Sequence, residues 1–167
     1  GVPSEAELAD YMQRAINEGA DPELVKKMAG GKTGIVATLK TDKPGKTVAF
    51  RFDMDCNDVE EERCDEHRPA KEGFASEHKK AMHACGHDGH TTILLAAAKY
   101  IASPACQFNG TVHLIFQPAE EAIGGADLMI KDGLFEQFPC ERIFGLHNMP
   151  GLPVGKLGFY AGNFMAS

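Results

Sequence analysis

The chain has 167 residues, 43% hydrophobic and 25% charged, with a formal net charge of −7. This is a globular composition, long enough to bury a core of its own. No Lys/Arg cluster offers a surface to nucleic acid or an anionic membrane, and no apolar run reaches the about eighteen residues that a bilayer span needs. The five cysteines (56, 64, 85, 106 and 140) are odd in number and lack paired zinc-finger spacing. They do not form the dense framework of a small secreted domain, which points to a reducing cytosol, with Cys106 and Cys140 as small buried hydrophobes. The chain opens Gly1-Val2-Pro3 rather than on Met, so it reads as a piece of a longer or processed protein.

Ser4, with Glu7 three residues on, predicts a capping box and a helix to about Glu18. Asp21-Pro22 starts a shorter helix that Gly30-Gly31 ends. Two strands follow, Thr33 to Leu39 and Lys46 to Phe52, joined by the turn Thr41-Asp42-Lys43-Pro44-Gly45. Residues 56–82 are polar and weakly patterned, and a loop of that length in a compact domain tends to be functional. From Gly89 to Ile101 the pattern is helical, with Ile93, Leu94, Ala97 and Ile101 as its apolar stripe. Thr111 to Gln117 is nearly all apolar, as for a strand covered on both faces, and Pro118 ends it. A helix near Ala126 to Asp132 stops at Gly133; Arg142 to Leu146 and Lys156 to Tyr160 are further short strands. Strands alternating with helices predict an α/β fold, a layered sheet with helices on both faces.

Four groups of metal-type residues fall at predicted strand ends or strand-to-helix junctions. They are Asp53-Met54-Asp55, the run His83-Ala84-Cys85-Gly86-His87-Asp88-Gly89-His90, Glu120-Glu121, and His147-Asn148. Ligands gather beside the carboxyl ends of strands in open α/β sheets, so four distant segments can converge on one site. Cys85 and His87 alternate, so on extended backbone they would face the same way and flank one ion; thiolate and imidazole both suit zinc. The rival reading is a loop with a buried cysteine and surface histidines. Glu120 and Glu121 repel each other in a low-dielectric cleft unless one binds a cation and the other takes a proton; the alternative is a solvated pair on a helix's first turn. His147 is either a ligand or a structural histidine. Asp55 suits the outer carboxylate that fixes the tautomer of a metal-bound histidine, and Asp53 could do the same or simply form a turn. His67, His78 and His113 read as structural.

The segments Met82–Thr91, Phe116-Gln117-Pro118-Ala119-Glu120-Glu121 and Gly145-Leu146-His147-Asn148 strongly resemble metallopeptidase family M-twenty, subfamily D, the aminoacylase-like amidohydrolases. Residues 67–75 and 53–58 look most like its aminobenzoyl-glutamate hydrolase branch, and the resemblance runs from about Ala49 to Ser167. It implies a partial zinc-peptidase-like catalytic domain with Cys85, His87, Glu121 and His147 as metal ligands and Glu120 as catalytic base. It also implies two divalent ions, zinc or manganese, and a small-molecule N-acyl amino acid as substrate. Residues 1–167 would be the first segment of that catalytic domain. The family's lid and dimerisation domain, inserted after a segment like Gly162-Asn163-Phe164-Met165-Ala166-Ser167, and a C-terminal segment with a further histidine ligand would lie outside the chain. A homodimer is expected for the whole protein, and little activity for this chain alone.

The chemistry expected is hydrolysis of a linear amide by metal-activated water, with Glu120 moving the proton. Two alternatives come from other classes. Cys85 could be a nucleophile activated by His87 or His83, a reaction that would survive a chelator. The chain could also be an inactive metal-binding scaffold.

Overall fold

The computed structural model describes residues 3–159. Ser4 and Glu7 do form the capping box: Ser4 Oγ accepts from the Glu7 backbone, and the Glu7 carboxylate accepts from Ser4 N at 2.8 Å. Helix α1 (Glu5–Asn17) buries no residue, and α2 (Pro22–Lys27) packs beside it, burying Val25. Helix α2 ends at the Met28 cap, before the Gly30-Gly31 pair.

The sheet has four strands in the order β1-β3-β2-β4, with β1 Ile35–Lys40, β2 Thr47–Asp53, β3 Thr111–Gln117 and β4 Arg142–Gly145. Strand β2 runs parallel to both neighbours, pairing Asp53 with Gln117 and Arg51 with Gly145, while β1 is antiparallel to β3. Strands β2, β3 and β4 therefore deliver their C-terminal residues to one edge.

Period-two alternation splits the core between the two faces. Phe52 and Leu114 pack with Leu94 of α4 (His87–Ile101) on one face. Ala49 and Ile115 pack on the other with Leu134 and Met129, which belong to α6 (Leu134–Gln137) and α5 (Gly125–Lys131). Helix α4 connects β2 to β3 across one face, and α5 and α6 connect β3 to β4 across the other. The connections leaving β2 and β3 thus diverge, and the crevice where adjacent strands send their chains to opposite faces is where such folds bind ligands.

Several expectations are corrected. Helix α4 starts at His87, two residues before Gly89, because Gly86 supplies a left-handed N-cap (φ 79, ψ 25). Its buried stripe is Leu94 with Ala98 and Ile101 behind it, whereas Ile93 is 47% exposed. Ala98 and Ile101 follow Leu94 at four- and three-residue spacing, the period that keeps one helix face on the sheet. Residues 156–159 are irregular, with no strand paired to them among the described residues, and Tyr160 lies outside the described residues. The loop 56–82 holds a short helix, α3 (Arg68–Lys71), and is pinned at its neck by an Asn57–Met82 bridge. Buried Glu61 staples its middle, accepting from His67 Nε2 and the Ser76 backbone. No helix among the described residues is long and apolar enough to cross a membrane.

Leu94 is fully buried where α4 meets the sheet. Leu94→Ala should cost about 2–5 kcal/mol in urea unfolding, against less than about 1 kcal/mol for Ile93→Ala. Equal losses would mean that the helix packs by its other face.

Candidate metal centre

The segment Cys85-Gly86-His87 is not extended. Cys85 closes a turn, Gly86 takes the left-handed conformation, and His87 is the first helical residue. The turn brings the two side chains together where simple alternation does not. A Cβ at Gly86 would stand 2.5 Å from the Asn148 side-chain amide, which would have to move, and the left-handed backbone angle itself favours glycine. The Cys85 backbone N–H donates to Asn57 Oδ1 at 3.2 Å, tying this turn to the neck of the long loop.

His87 has no exposed surface. Its Nδ1–H donates to the Asp55 carbonyl oxygen at 3.0 Å, with Asp55 Oδ1 at 3.4 Å, which leaves the lone pair on Nε2. That Nε2 is buried and has no hydrogen-bond partner among the described residues, and Glu121 Oε1 is the carboxylate oxygen facing it, at 3.7 Å. The other carboxylate oxygen of Asp55, Oδ2, accepts from Glu121 N at 2.9 Å. Asp55 thereby aims an imidazole with its carbonyl and places a glutamate backbone with its side chain.

Glu120 and Glu121 sit in a turn between β3 and α5 rather than on a helix's first turn, which removes the helix dipole as the reason for two adjacent acids. The turn is shaped by Ala119 at φ 54, a left-handed angle that costs a non-glycine residue about 1 kcal/mol or more. The Gly125 N–H holds the Ala119 carbonyl at 2.9 Å, and a Cβ at Gly125 would overlap Pro118 O at 1.8 Å.

His147 follows β4 as expected. Its Nδ1–H donates to the Asn148 carbonyl at 2.7 Å, and Nε2 stands 3.5 Å from Cys85 Sγ. Two zinc ligands at roughly 2.0 Å (nitrogen) and 2.3 Å (sulfur), set at a tetrahedral angle, lie roughly 3.5 Å apart. The ligand atoms of Cys85, His87 and His147 fall within 4.8 Å of one another, and so do those of His87, Glu120 and Glu121. A third group, Asp53, His87 and His90, lies equally close together, and all three share His87. A buried imidazole nitrogen with no partner, facing a carboxylate and flanked by a thiol–imidazole pair at ligand spacing, fits a bound divalent cation.

Burial, then the Glu121 carboxylate accepting from the thiol, then the charges of Glu121, Glu120 and Asp53 push the Cys85 thiol up to about 11. Without a cation this cysteine carries its proton.

Asp53 is the last residue of β2, 1% exposed, and does not form a turn. It pairs with Arg51 Nη2 at 3.1 Å and accepts from His90 Nδ1 at 3.3 Å. His90, fully buried, has no assigned role in the sequence reading, although its signal is there: His87, His90, Leu94, Ala98 and Ile101 recur at three- and four-residue spacing down one helix face. His113 bonds Thr38 Oγ1 at 2.8 Å and packs edge-on against Phe138, and His67 pairs with Glu61. His78 is exposed.

The arrangement is a candidate metal centre on an α/β sheet, and comparison with known proteins gives the chain's family. Residues 49–162 match the family described as "Peptidase family M20/M25/M40", and the chain belongs to that family. Over all 167 residues it is 44% identical to an indole-3-acetyl-aspartic acid hydrolase of Enterobacter agglomerans and 42% identical to one of the subunits of the p-aminobenzoyl-glutamate hydrolase of Escherichia coli. It spans 38% of the length of each. A hippurate hydrolase of Campylobacter jejuni is 50% identical over 137 residues, 82% of this chain and 33% of that one. Among solved structures, a Bacillus subtilis protein described as a dinuclear metal binding peptidase of the same family superposes with a TM-score of 0.68 at 35% identity, covering 95% of this chain and 42% of that one.

A cation taken up here must displace the Cys85 proton. Affinity should therefore rise with pH, roughly tenfold per unit from this group alone, as long as the pH stays below the thiol's value of about 11. Chelator-competition titrations of zinc at several pH values measure the slope, and Cys85→Ser should flatten it by about one proton.

Proposed function

We propose that this chain forms part of the catalytic domain of a metal-dependent amidohydrolase acting on N-acyl amino acids or aminobenzoyl-glutamate-like conjugates. The observation that carries this reading is the buried, partnerless His87 Nε2 at the meeting of two ligand triads. Cys85, His87, Glu121 and His147 would hold two divalent ions, zinc or manganese, with Asp55 fixing the direction of His87. Such ions would lower the pKa of a water and polarise the scissile carbonyl.

Glu120 is exposed at the rim of the site, and its neighbour Glu121 has its backbone tied to Asp55. Glu120 takes a proton from the attacking water as the oxygen bonds to the carbonyl carbon. It returns that proton to the amide nitrogen as the C–N bond breaks, giving an amine and a carboxylic acid, which loses its remaining proton to solvent. The family membership and the activities for which the relatives are named support this substrate class. Because the chain spans 38% of the first two relatives, turnover belongs to the whole protein, and the isolated chain should hydrolyse little.

A cysteine nucleophile is the weaker reading, because a thiol held up at about 11 and ringed by carboxylates is a poor source of thiolate. Dialysis against a chelator should abolish hydrolysis, and zinc or manganese should restore it; activity that survives would favour the thiol route.

In the complete protein Glu120→Gln should keep its bound metal, by elemental analysis, while losing about 10²-fold or more in kcat. Normal turnover by that variant would remove Glu120 from its role.

A further inference from the structure

His90 lies under the centre and contributes to neither ligand triad that the proposed reading uses, yet it bridges the segments that carry His87 and His147. Its ring is stacked on His87, with centroids 5.1 Å apart, and meets the His147 ring edge-on at 4.6 Å. The Asn148 backbone N–H donates to His90 Nε2 at 2.9 Å. A backbone N–H can only donate, so Nε2 presents its lone pair and the ring proton sits on Nδ1, directed at Asp53. Asp53 is in turn balanced by Arg51, whose Nε–H donates to Gln117 Oε1. The Asn148 side-chain amide also lies over this ring, 2.9 Å from Nε2; an oxygen there would face the lone pair, so with this tautomer the amide turns its nitrogen to the ring.

From this arrangement we infer that His90 is a positioning residue for the metal centre. It latches the end of β4, and with it His147, onto the Cys85-Gly86-His87 turn. Strand β4 has every residue exposed and pairs with β2 over four positions; Leu146 just beyond it packs against the core, and His147 and Asn148 lie past that anchor. The Nδ1 of His147 bonds to its own chain neighbour, Asn148, and so does not tie this ligand to another element. Beside the Cys85 Sγ–His147 Nε2 contact at 3.5 Å, what ties that pair of residues to the turn is the His90–Asn148 hydrogen bond, built on a pedestal of Asp53, Arg51 and Gln117. The role is to accept a hydrogen bond at a fixed point, and a ring of equal size without a nitrogen cannot fill it.

The inference rests on the metal-centre reading, and two substitutions in the complete protein test it. His90→Phe keeps the ring and removes both nitrogens; His90→Gln removes the ring and keeps an oxygen able to accept from Asn148 N–H. Zinc affinity by chelator competition and the absorption spectrum of the cobalt-loaded protein are read beside the melting temperature of the metal-free protein. The Phe variant should lose about 10- to 100-fold in zinc affinity and show an altered cobalt spectrum, as outer supports of metal ligands do. The Gln variant should stay within about fivefold, with a spectrum close to wild type, on the same principle. The opposite ranking, or a Phe variant that binds as wild type, would overturn the latch and assign His90 to packing alone. Should the Phe variant fail to fold, the Gln variant decides alone: retention within that range supports the latch, and a greater loss overturns it. A wild-type protein that binds no zinc and gives no thiolate–cobalt absorption would instead remove the metal-centre reading on which the latch depends.

Discussion

A fully buried imidazole with one committed nitrogen and one uncommitted nitrogen is the constraint around which this chain is arranged. His87 gives its Nδ1 proton to the Asp55 carbonyl and keeps a lone pair on Nε2 that no protein group satisfies among the described residues. Leaving a buried polar atom without a partner costs about 1–3 kcal/mol. A cation held between that atom, the Glu121 carboxylate, the Cys85 thiol and His147 would offset the cost. The same logic explains the thiol held up at about 11, because burial and the carboxylates that raise it are what a cation would reverse.

The fold's contribution is directional. Three parallel strands send their carboxyl ends to one edge, and the chains leaving β2 and β3 depart to opposite faces, opening a crevice between them. Each strand end then carries a different share of the chemistry. From β2 come Asp53 and Asp55, which orient His90 and His87. From β3 comes a turn bent by Ala119 and Gly125, in which two acids stand side by side without a helix to stabilise them. From β4 comes His147, and the start of α4 supplies Cys85 and His87 through a glycine that no other residue could replace without meeting Asn148. Strain at Ala119 and the orphaned His87 nitrogen are both local costs, as expected where structure is subordinated to a site.

Much of this is legible in the residues alone. Hydrophobic alternation and the apolar run Thr111–Gln117 identify strands that the structure places in one sheet, and the capping box at Ser4 marks where the first helix begins. The positions of Asp53-Asp55, Cys85-His87, Glu120-Glu121 and His147 near strand ends are visible because side-chain chemistry and strand ends are both local properties. The differences cluster where geometry depends on contacts from elsewhere. The sequence pattern puts the start of α4 two residues late because glycine suggests a break, whereas Gly86 is an N-cap. A strand over 156–159 needs a partner strand that the periodicity of four residues cannot supply.

By itself the sequence determined the kinds of groups available, their order, and their attachment to strand ends, since these follow from residue chemistry and from hydrophobic period. Only the tertiary structure decided which of seven histidines face one another, which nitrogen of His87 is left open, and that Asp53 serves His90 while Asp55 serves His87. Those choices depend on the crossing of segments more than thirty residues apart, such as Asp55 with His87 and His90 with Asn148. Hydrogen bonds of that kind are directional to a fraction of an ångström, and no local pattern along a chain encodes them.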